Sequence, residues 1–481
     1  MLLGFLASAL IFAGRARADD LGFSLSDVSL ENPGEIVITV VDAASGKTLP
    51  DAAISLADSL EDSLHHPLFQ SKSDAQGEWH LKSVHVPQVV TISKQGYETL
   101  SLVGVGSRTI HVSLKPITSL FSVIASGTMT GWGGSQDSSM IHGGLVLRTL
   151  SATDLLHFDV QSIISPLSDT IDIFGDRRVP SNLVLPTQDV FVLFGSVHLD
   201  KPQYRLPLFS NQQAHIVGVQ GQMSSGDVFS VLQNGGKLSV SLLNKISFLS
   251  FGMSDLLTPH QDFSQDINTE IPLASGASVL PNAAPFQGNI VVASVMDLDG
   301  TKQTLVPTDV KASVDADNPS DPQPVTLAFP QSSMGEFVSA LGGMQDIVTV
   351  AISPHGEKST GIVSQVPASV DSGTPLSPGD FLNADDVADT GTVRAPQTGL
   401  GAVVFETAQT GSVWAVYVLP RAGDAQVPVQ ELMSSCGADS YSTLHFDFGD
   451  SFNGARIDGS HLMRNLKRFS RAKESLPAPQ Q

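Results

Sequence analysis

The chain has 481 residues, with 48 Asp and Glu against 26 Lys and Arg, a formal net charge of −22, and 15% charged beside 41% hydrophobic residues. That balance excludes nucleic acid and an anionic membrane surface as the main partner, because phosphate binding needs clustered Lys and Arg. It also excludes a disordered chain, since the apolar content is enough for about two to four buried cores.

Leu2 to Gly14 is an uninterrupted apolar run of signal-peptide length, followed by the small-residue site Ala16-Arg17-Ala18 and then Asp19-Asp20. Residues 1–18 are expected to be a signal peptide cleaved after Ala18, and 19–34 a leader, leaving no membrane span in the mature chain. No Cys follows the run, so a lipid-attached lipoprotein is not expected. With one cysteine, Cys436, an intramolecular disulfide is excluded and stability must come from buried area. The one Asn-x-Ser sequence, Asn318-Pro319-Ser320, is blocked as a glycosylation acceptor by its proline.

Between Glu35 and Pro116 the runs Ile36–Val41, Ala53–Leu56, Trp79–Leu81, Val89–Ser93 and Thr109–Leu114 are rich in β-branched residues and predict strands. Ser45-Gly46-Lys47 and Asp74-Ala75-Gln76-Gly77 predict tight turns, because Gly accepts the positive φ such turns often need. The expected product is a small antiparallel sandwich. Val41-Asp42, Ser45-Gly46-Lys47, Leu49-Pro50-Asp51-Ala52, Asp74 with Gly77 and Trp79, and Gly96-Tyr97 stand in the order of a known pattern. In that order the segment 35–116 resembles the carboxypeptidase regulatory-like domain, a prealbumin-like (transthyretin-like) module. The family often carries Gly where Ile38 and Asp51 stand here. The resemblance implies a non-catalytic β-sandwich of the kind found beside metallocarboxypeptidases, on outer-membrane receptors and in surface proteins.

From 117 to 285 short strands with frequent Gly, Pro, Asn and Asp breakers predict a β-rich domain, with Phe121–Ala125, Gly144–Leu147, Leu183–Leu185, Val190–Leu193, Ile216–Val219, Lys237–Leu242 and Ile246–Phe251 clearest. A second β-rich block is expected over 286–366, from Asn289–Val295, Val325–Phe329 and Asp346–Ile352. Residues 367–396 read as a linker or long loop. Over 397–460, Ala402–Phe405, Ser412–Leu419 and Ser442–Phe448 return to strands, while 461–481 reads as a basic helix and tail. There Leu462, Met463, Leu466 and Phe469 share one helical face. No fixed-period repeat supports a propeller or solenoid.

The residues that could carry chemistry are thinly spread. None of the 13 His has Glu three residues later, so the zinc pair of a metallocarboxypeptidase is absent, and no His-Glu-x-x-His exists. Gly46-Lys47-Thr48 lacks the earlier Gly of a phosphate loop, and His142-Gly143-Gly144 has no Gly-x-Ser-x-Gly nucleophile elbow to serve. His65-His66 could ligate a metal as a pair. Asp297-Leu298-Asp299-Gly300 and Asp315-Ala316-Asp317-Asn318 place oxygen ligands at alternating positions as calcium loops do, but neither reaches a closing Glu. Trp132, between Gly131 and Gly133, is the one Trp in a flexible loop where its ring could meet a partner, whereas Trp79, Tyr97, Trp414 and Tyr417 are expected to be buried.

The sequence therefore predicts a mainly β exported bacterial protein of several antiparallel sandwich-like domains and a short C-terminal helix. Its expected role is binding or structural, without catalytic, cofactor or metal residues, in the periplasm or at the cell surface of a Gram-negative bacterium. The expected partner is an envelope protein or polysaccharide. The rival reading is a secreted hydrolase whose site is assembled from dispersed Asp, Ser or His residues.

Overall fold

The computed structural model of the chain describes residues 21–26, 35–82, 88–117, 122–132, 139–151, 170–172, 178–192, 195–210, 213–227, 244–284, 290–297, 304–313, 321–330, 346–355, 357–366, 375–382, 392–394, 398–422, 424–450, 452, 457–458 and 465–475. The expected signal peptide over 1–18 and the expected strand Lys237–Leu242 lie outside the described residues. Two compact units emerge, one of Met1–Ser119, Ala388–Leu466 and Ala472–Gln481, the other of Leu120–Val387 and Lys467–Arg471.

The first unit begins with β1 (Phe23–Ser26), β2 (Glu35–Asp42), β3 (Ala53–Ala57), helix α1 (Leu60–His65), β4 (Phe69–Lys72), β5 (Glu78–Lys82), β6 (Val89–Ser93), β7 (Thr99–Val103) and β8 (Thr109–Leu114). Alternation sets the layers: Ile36, Ile38 and Val40 of β2 and Ile110, Val112 and Leu114 of β8 are buried, while their neighbours in sequence are not. One sheet orders the two-residue strand Ile457–Asp458, then β1, β8, β2 and β5, with β8 parallel to β2 and antiparallel to β1. The other contains β4-β3-β6-β7. Residues 35–116 thus supply strands to two sheets, with β1 added ahead of them, and the expected wholly antiparallel pairing is corrected by the parallel pairing of β2 with β8. Helix α1 was not foreseen. Ser59 caps it by accepting the Asp62 N–H at 3.0 Å, satisfying a donor that a helix start otherwise leaves orphaned.

The second unit supplies β9 (Ser122–Thr130), β10 (Met140–Arg148), β11 (Leu183–Val192), β12 (Gly195–Lys201), β13 (Gln203–Phe209), β14 (Ile216–Ser224), β15 (Ser247–Met253), β16 (Phe263–Ser264), β17 (Ile267–Asn268), β18 (Ile271–Val279), β19 (Ile290–Asp297), β20 (Thr304–Ser313), β21 (Val325–Pro330), β22 (Asp346–His355) and β23 (Lys358–Gln365). One sheet has the order β12-β11-β10-β14-β15-β18-β21, another contains β20-β19-β22-β23, and β9 pairs with β13, β16 and β17. Leu183–Leu185 and Val190–Leu193, expected as separate strands, fall largely in one strand, β11, whose pairing with β12 shifts register between Leu185 and Gln188. Residues 375–382 of the expected linker pack on this unit. Leu280 N–H donates to Leu376 O at 2.9 Å, and Phe381 is buried among Val279, Val292 and Leu327.

The chain then returns to the first unit with β24 (Gly399–Thr407), β25 (Gly411–Val418), helix α2 (Val429–Cys436) and β26 (Ser440–Asp447). Strand β25 pairs parallel with β7, extending the β4-β3-β6-β7 sheet through β25 to β24 and β26. Gly437 ends α2 at φ 69°, the left-handed turn that glycine takes without a Cβ penalty. The expected basic helix at the C-terminus is corrected: its described part forms a strand, β27 (Arg468–Ser475). His461, Leu462, Met463 and Arg464 lie outside the described residues. The cause is burial of Phe469, whose ring occupies the space above Gly361, where a Cβ would stand 2.3 Å from the ring. Thr360 Oγ1 donates to Phe469 O at 3.0 Å.

Candidate functional site

Two turns of the first sandwich are built as the sequence predicts. After β2, Asp42 Oδ1 accepts the N–H groups of Ala44 and Ser45 at 2.7 and 2.8 Å, and Gly46 takes φ 67°. Asp42 Oδ2 accepts the Tyr97 hydroxyl at 2.7 Å, so the Val-Asp and Gly-Tyr signs of the resemblance are hydrogen-bond partners. Burial alone would raise the Asp42 carboxyl, but the bonds from Tyr97, Ser45 and Ala44 together hold it below the usual range. Before β5, Asp74 Oδ1 accepts the N–H groups of Gln76 and Glu78 at 2.9 Å, and Gly77 stands at φ 75°. Asp51, at a position the resembled family often gives to Gly, is the one non-glycine with positive φ among the described residues.

The residues flagged for chemistry are held by structural bonds or lie apart. His142 sits mid-strand in β10, where its N–H donates to Gln188 Oε1 at 3.0 Å and its carbonyl accepts Gln188 Nε2 at 2.6 Å. Neighbouring Gly144 leaves room for Met129, whose Cε would lie 2.0 Å from a Cβ there. His65 meets Glu431, and His66 faces His65 at a ring separation of 6.3 Å. Trp132 is half-buried and donates its Nε1–H to Met129 O at 2.9 Å. Asp297 is wholly buried at the end of β19, whereas Asp299, Gly300, Asp315, Asp317 and Asn318 lie outside the described residues. Among the described residues, no three His, Cys, Asp or Glu side chains gather as metal ligands. No helix there is long and apolar enough to cross a membrane.

Buried polar clusters that left no motif in the sequence include one in each unit. In the second unit, Ala328 of β21 has its N–H bound by Asp309 Oδ2 at 2.8 Å and its carbonyl by Ser294 Oγ at 2.9 Å and Thr308 Oγ1 at 3.2 Å. Lys311 lies 3.4 Å from Asp309 Oδ1 and 5.3 Å above the Phe248 ring, and donates to Ile246 O. Burial raises the Asp309 carboxyl, with Lys311 and Ala328 opposing. Asp309-x-Lys311 places both side chains on one face of a strand, which was the available sequence signal.

The other cluster lines a pocket in the first unit, about 10 Å³ and so room for one water-sized group, whose walls include Leu21, Gly22, Glu98, Leu100, Ser113 and Tyr417. Glu98 and Tyr417 are each 8% exposed. Glu98 Oε1 accepts Ser412 Oγ at 2.5 Å, and the Glu98 N–H donates to Lys115 O at 2.8 Å. Tyr417 packs against Phe23 with ring centroids 5.1 Å apart, and burial, with the nearby Glu98 charge, pushes its phenol up.

No protein family matches the chain, and no curated protein matches it. Among solved structures it is similar to the shaft pilin SpaA from Lactobacillus rhamnosus GG, with 9% identity, 50% of this chain and 97% of that chain covered, and a TM-score of 0.14. It is similar also to a streptococcal ancillary pilin, with 8% identity, 63% and 96% covered, and a TM-score of 0.14. GBS52, the minor pilin of Streptococcus agalactiae, follows with 7% identity, 49% and 96% covered, and a TM-score of 0.14. At those scores the likeness carries no argument, and the fold rests on the strands and sheets described above.

Proposed function

We propose that the chain is an exported bacterial β protein with a non-catalytic binding or structural role in the cell envelope, its partner an envelope protein or polysaccharide. The observation that supports this best is the use made of its polar side chains. Asp42, Asp74, Gln188, Asp309, Ser294 and Thr308, all of which could belong to a dispersed hydrolytic site, accept or donate bonds that close turns and strands. A general base or nucleophile must reach its substrate, whereas these side chains are oriented by the turns and strands they bond. The export step rests on the apolar run and the Ala16-Arg17-Ala18 site.

The test is incubation of the purified mature protein with peptidase, esterase and glycosidase substrate panels, with and without Ca²⁺ and Zn²⁺, beside a pull-down on peptidoglycan sacculi and on envelope extract. Saturable binding without turnover is the expected result. Turnover abolished by one Asp, Ser or His substitution that leaves folding intact would establish the hydrolase instead.

A further inference from the structure

We propose that the outer face of the β11–β12 hairpin binds a neutral polysaccharide, with Phe191 as the platform for one sugar ring and Asp189, His198 and Asp200 as partners of its hydroxyls. This deepens the binding reading above and rests on it: of the two partner classes named there, it commits to the polysaccharide.

Register puts these side chains together. Asp189 stands opposite His198 and Phe191 opposite Ser196, and directly opposed residues of an antiparallel pair share a face. Alternation adds Asp200, two residues beyond His198, to that face. The other face belongs to the core, where Leu185, Val190 and Leu199 are buried with Ile141. The outer face is open: Phe191 is 63% exposed, more than Leu68, Phe69, Phe209 or Leu256, and the Asp189 and His198 side chains are 73% and 60% exposed.

Its polar groups are set before any ligand arrives. Asp189 Oδ1 lies 2.9 Å from His198 Nδ1, and an ionised carboxylate only accepts, so Nδ1 carries the proton and Nε2 is the ring nitrogen left to a ligand. Thr187 Oγ1 donates to Asp200 Oδ1 at 2.7 Å, which leaves Oδ2 of that carboxylate. Side chains already fixed lose less rotamer freedom on binding. Successive pairs along the hairpin are about 7 Å apart, the scale of one sugar residue, so a ring on Phe191 brings its rim to the Asp189–His198 pair.

The make-up of the face selects the occupant. A pyranose carries C–H groups on its faces, which the negative face of an aromatic ring attracts, and hydroxyls round its rim, which carboxylate and imidazole bind. A protein partner would need roughly 800 Å² a side around an apolar centre. Phe191 is the one apolar side chain on this face among the described residues, beside Thr187, Asp189, Ser196, His198 and Asp200. The two carboxylates, on a chain of net charge −22, repel an anionic polymer.

Native electrophoresis of the full chain through gels containing dextran, yeast mannan, hydroxyethyl cellulose or polygalacturonate tests the assignment. At least one of the neutral polymers is expected to retard the chain, and polygalacturonate to leave it unretarded. Phe191→Ala should weaken the interaction about tenfold and His198→Ala about threefold, with melting unchanged because both side chains are exposed, while Phe191→Tyr retains it. Retardation by no neutral polymer, or equal retardation by polygalacturonate, would overturn the proposal, as would capture of an envelope protein that Phe191→Ala abolishes while no polymer retards the chain. The two readings fail separately. Retardation lost in Phe191→Ala while wild type hydrolyses the polymer supports this face and overturns the non-catalytic role, whereas retardation unaltered in Phe191→Ala, without hydrolysis, overturns this face and keeps the binding role.

Discussion

Alanine at Gly252 should damage the second unit far more than alanine at other glycines. A Cβ at this mid-strand position of β15 would lie 1.7 Å from Asn268 O and 2.5 Å from Asn268 C, both backbone atoms of β17. Ordinary contact is about 3.5 Å, so β17 must retreat by close to 2 Å. That movement breaks its parallel pairing with β9, including Thr269 N–H to Thr130 O at 3.0 Å and Thr269 Oγ1 to the same oxygen at 2.8 Å. Overpacking of about 1–3 kcal/mol and two hydrogen bonds at about 1 kcal/mol each give about 3–5 kcal/mol for Gly252→Ala. Gly144→Ala presses on Met129 Cε, the far end of a flexible side chain, and should cost about 1 kcal/mol. Gly226 is exposed with nothing within 4 Å of its Cβ position, so Gly226→Ala should stay within about 0.5 kcal/mol. Urea unfolding followed by ¹⁹F NMR of fluorotryptophan isolates the effect, because Trp132 reports on the second unit while Trp79 and Trp414 report on the first. A cost below about 1 kcal/mol for Gly252→Ala, or an inverted order of the three, would refute the close approach of β17 to β15.

Tyr97→Phe and Asp42→Asn should each destabilise the first unit, and a double-mutant cycle should return a coupling of about 1 kcal/mol, with additive effects ruling against the bond. Because the Asp42 carboxyl is held low in the folded chain, its stabilising contribution is present above the ordinary carboxylate range and lost as pH falls through its lowered value. Acid titration of Tyr97→Phe should show a smaller loss than wild type. Asp309 has the opposite sign: its carboxyl is raised, so its contribution is full below the ordinary value and lost as pH rises through the raised one. Lys311→Met should cost about 3–5 kcal/mol at neutral pH by leaving Asp309 buried and unpaired, with the deficit shrinking at low pH. A deficit that is constant across pH would mean the pair carries no charge interaction.

Strands were legible where one face is buried and the other is not. Val89–Ser93 and Thr109–Leu114 were read to the residue, and Ile36–Val41 lies inside Glu35–Asp42. The turns were equally legible, because Asp42, Gly46, Asp74 and Gly77 act within a few residues of themselves. What the sequence hid is set by atoms distant along the chain. Gly127 and Gly252, beyond the ends of the expected strands Phe121–Ala125 and Ile246–Phe251, stand inside longer strands, kept small by the backbones of Gln265 and Asn268. The C-terminal run carries apolar residues at a spacing that suits a helix, yet Arg468–Ser475 is a strand because Phe469 fills the slot above Gly361. The Glu98–Tyr417 pocket joins residues far apart in sequence and leaves no local motif.

Edge strands connect these observations to the absence of catalytic spacing in the sequence. A strand at the end of a sheet offers unpaired N–H and C=O groups, which must be bound, guarded by charge, or left for another chain to pair. At β21, Asp309, Ser294 and Thr308 bind both backbone groups of Ala328, so an acid and two hydroxyls that could have formed a hydrolytic cluster instead close an edge. At β5, Glu78, His80 and Lys82 guard the edge with charge, and the bond from Glu78, aided by Glu35, raises the His80 imidazole. At β4 neither device operates: Leu68 is 50% exposed, Phe69 is 46% exposed, and Lys72 is the one charge on the strand. At these positions polar residues follow the requirements of sheet edges and turns, which scatter them singly along strands. Such scattering gives neither the paired spacing that marks a metal site nor the elbow that presents a nucleophile.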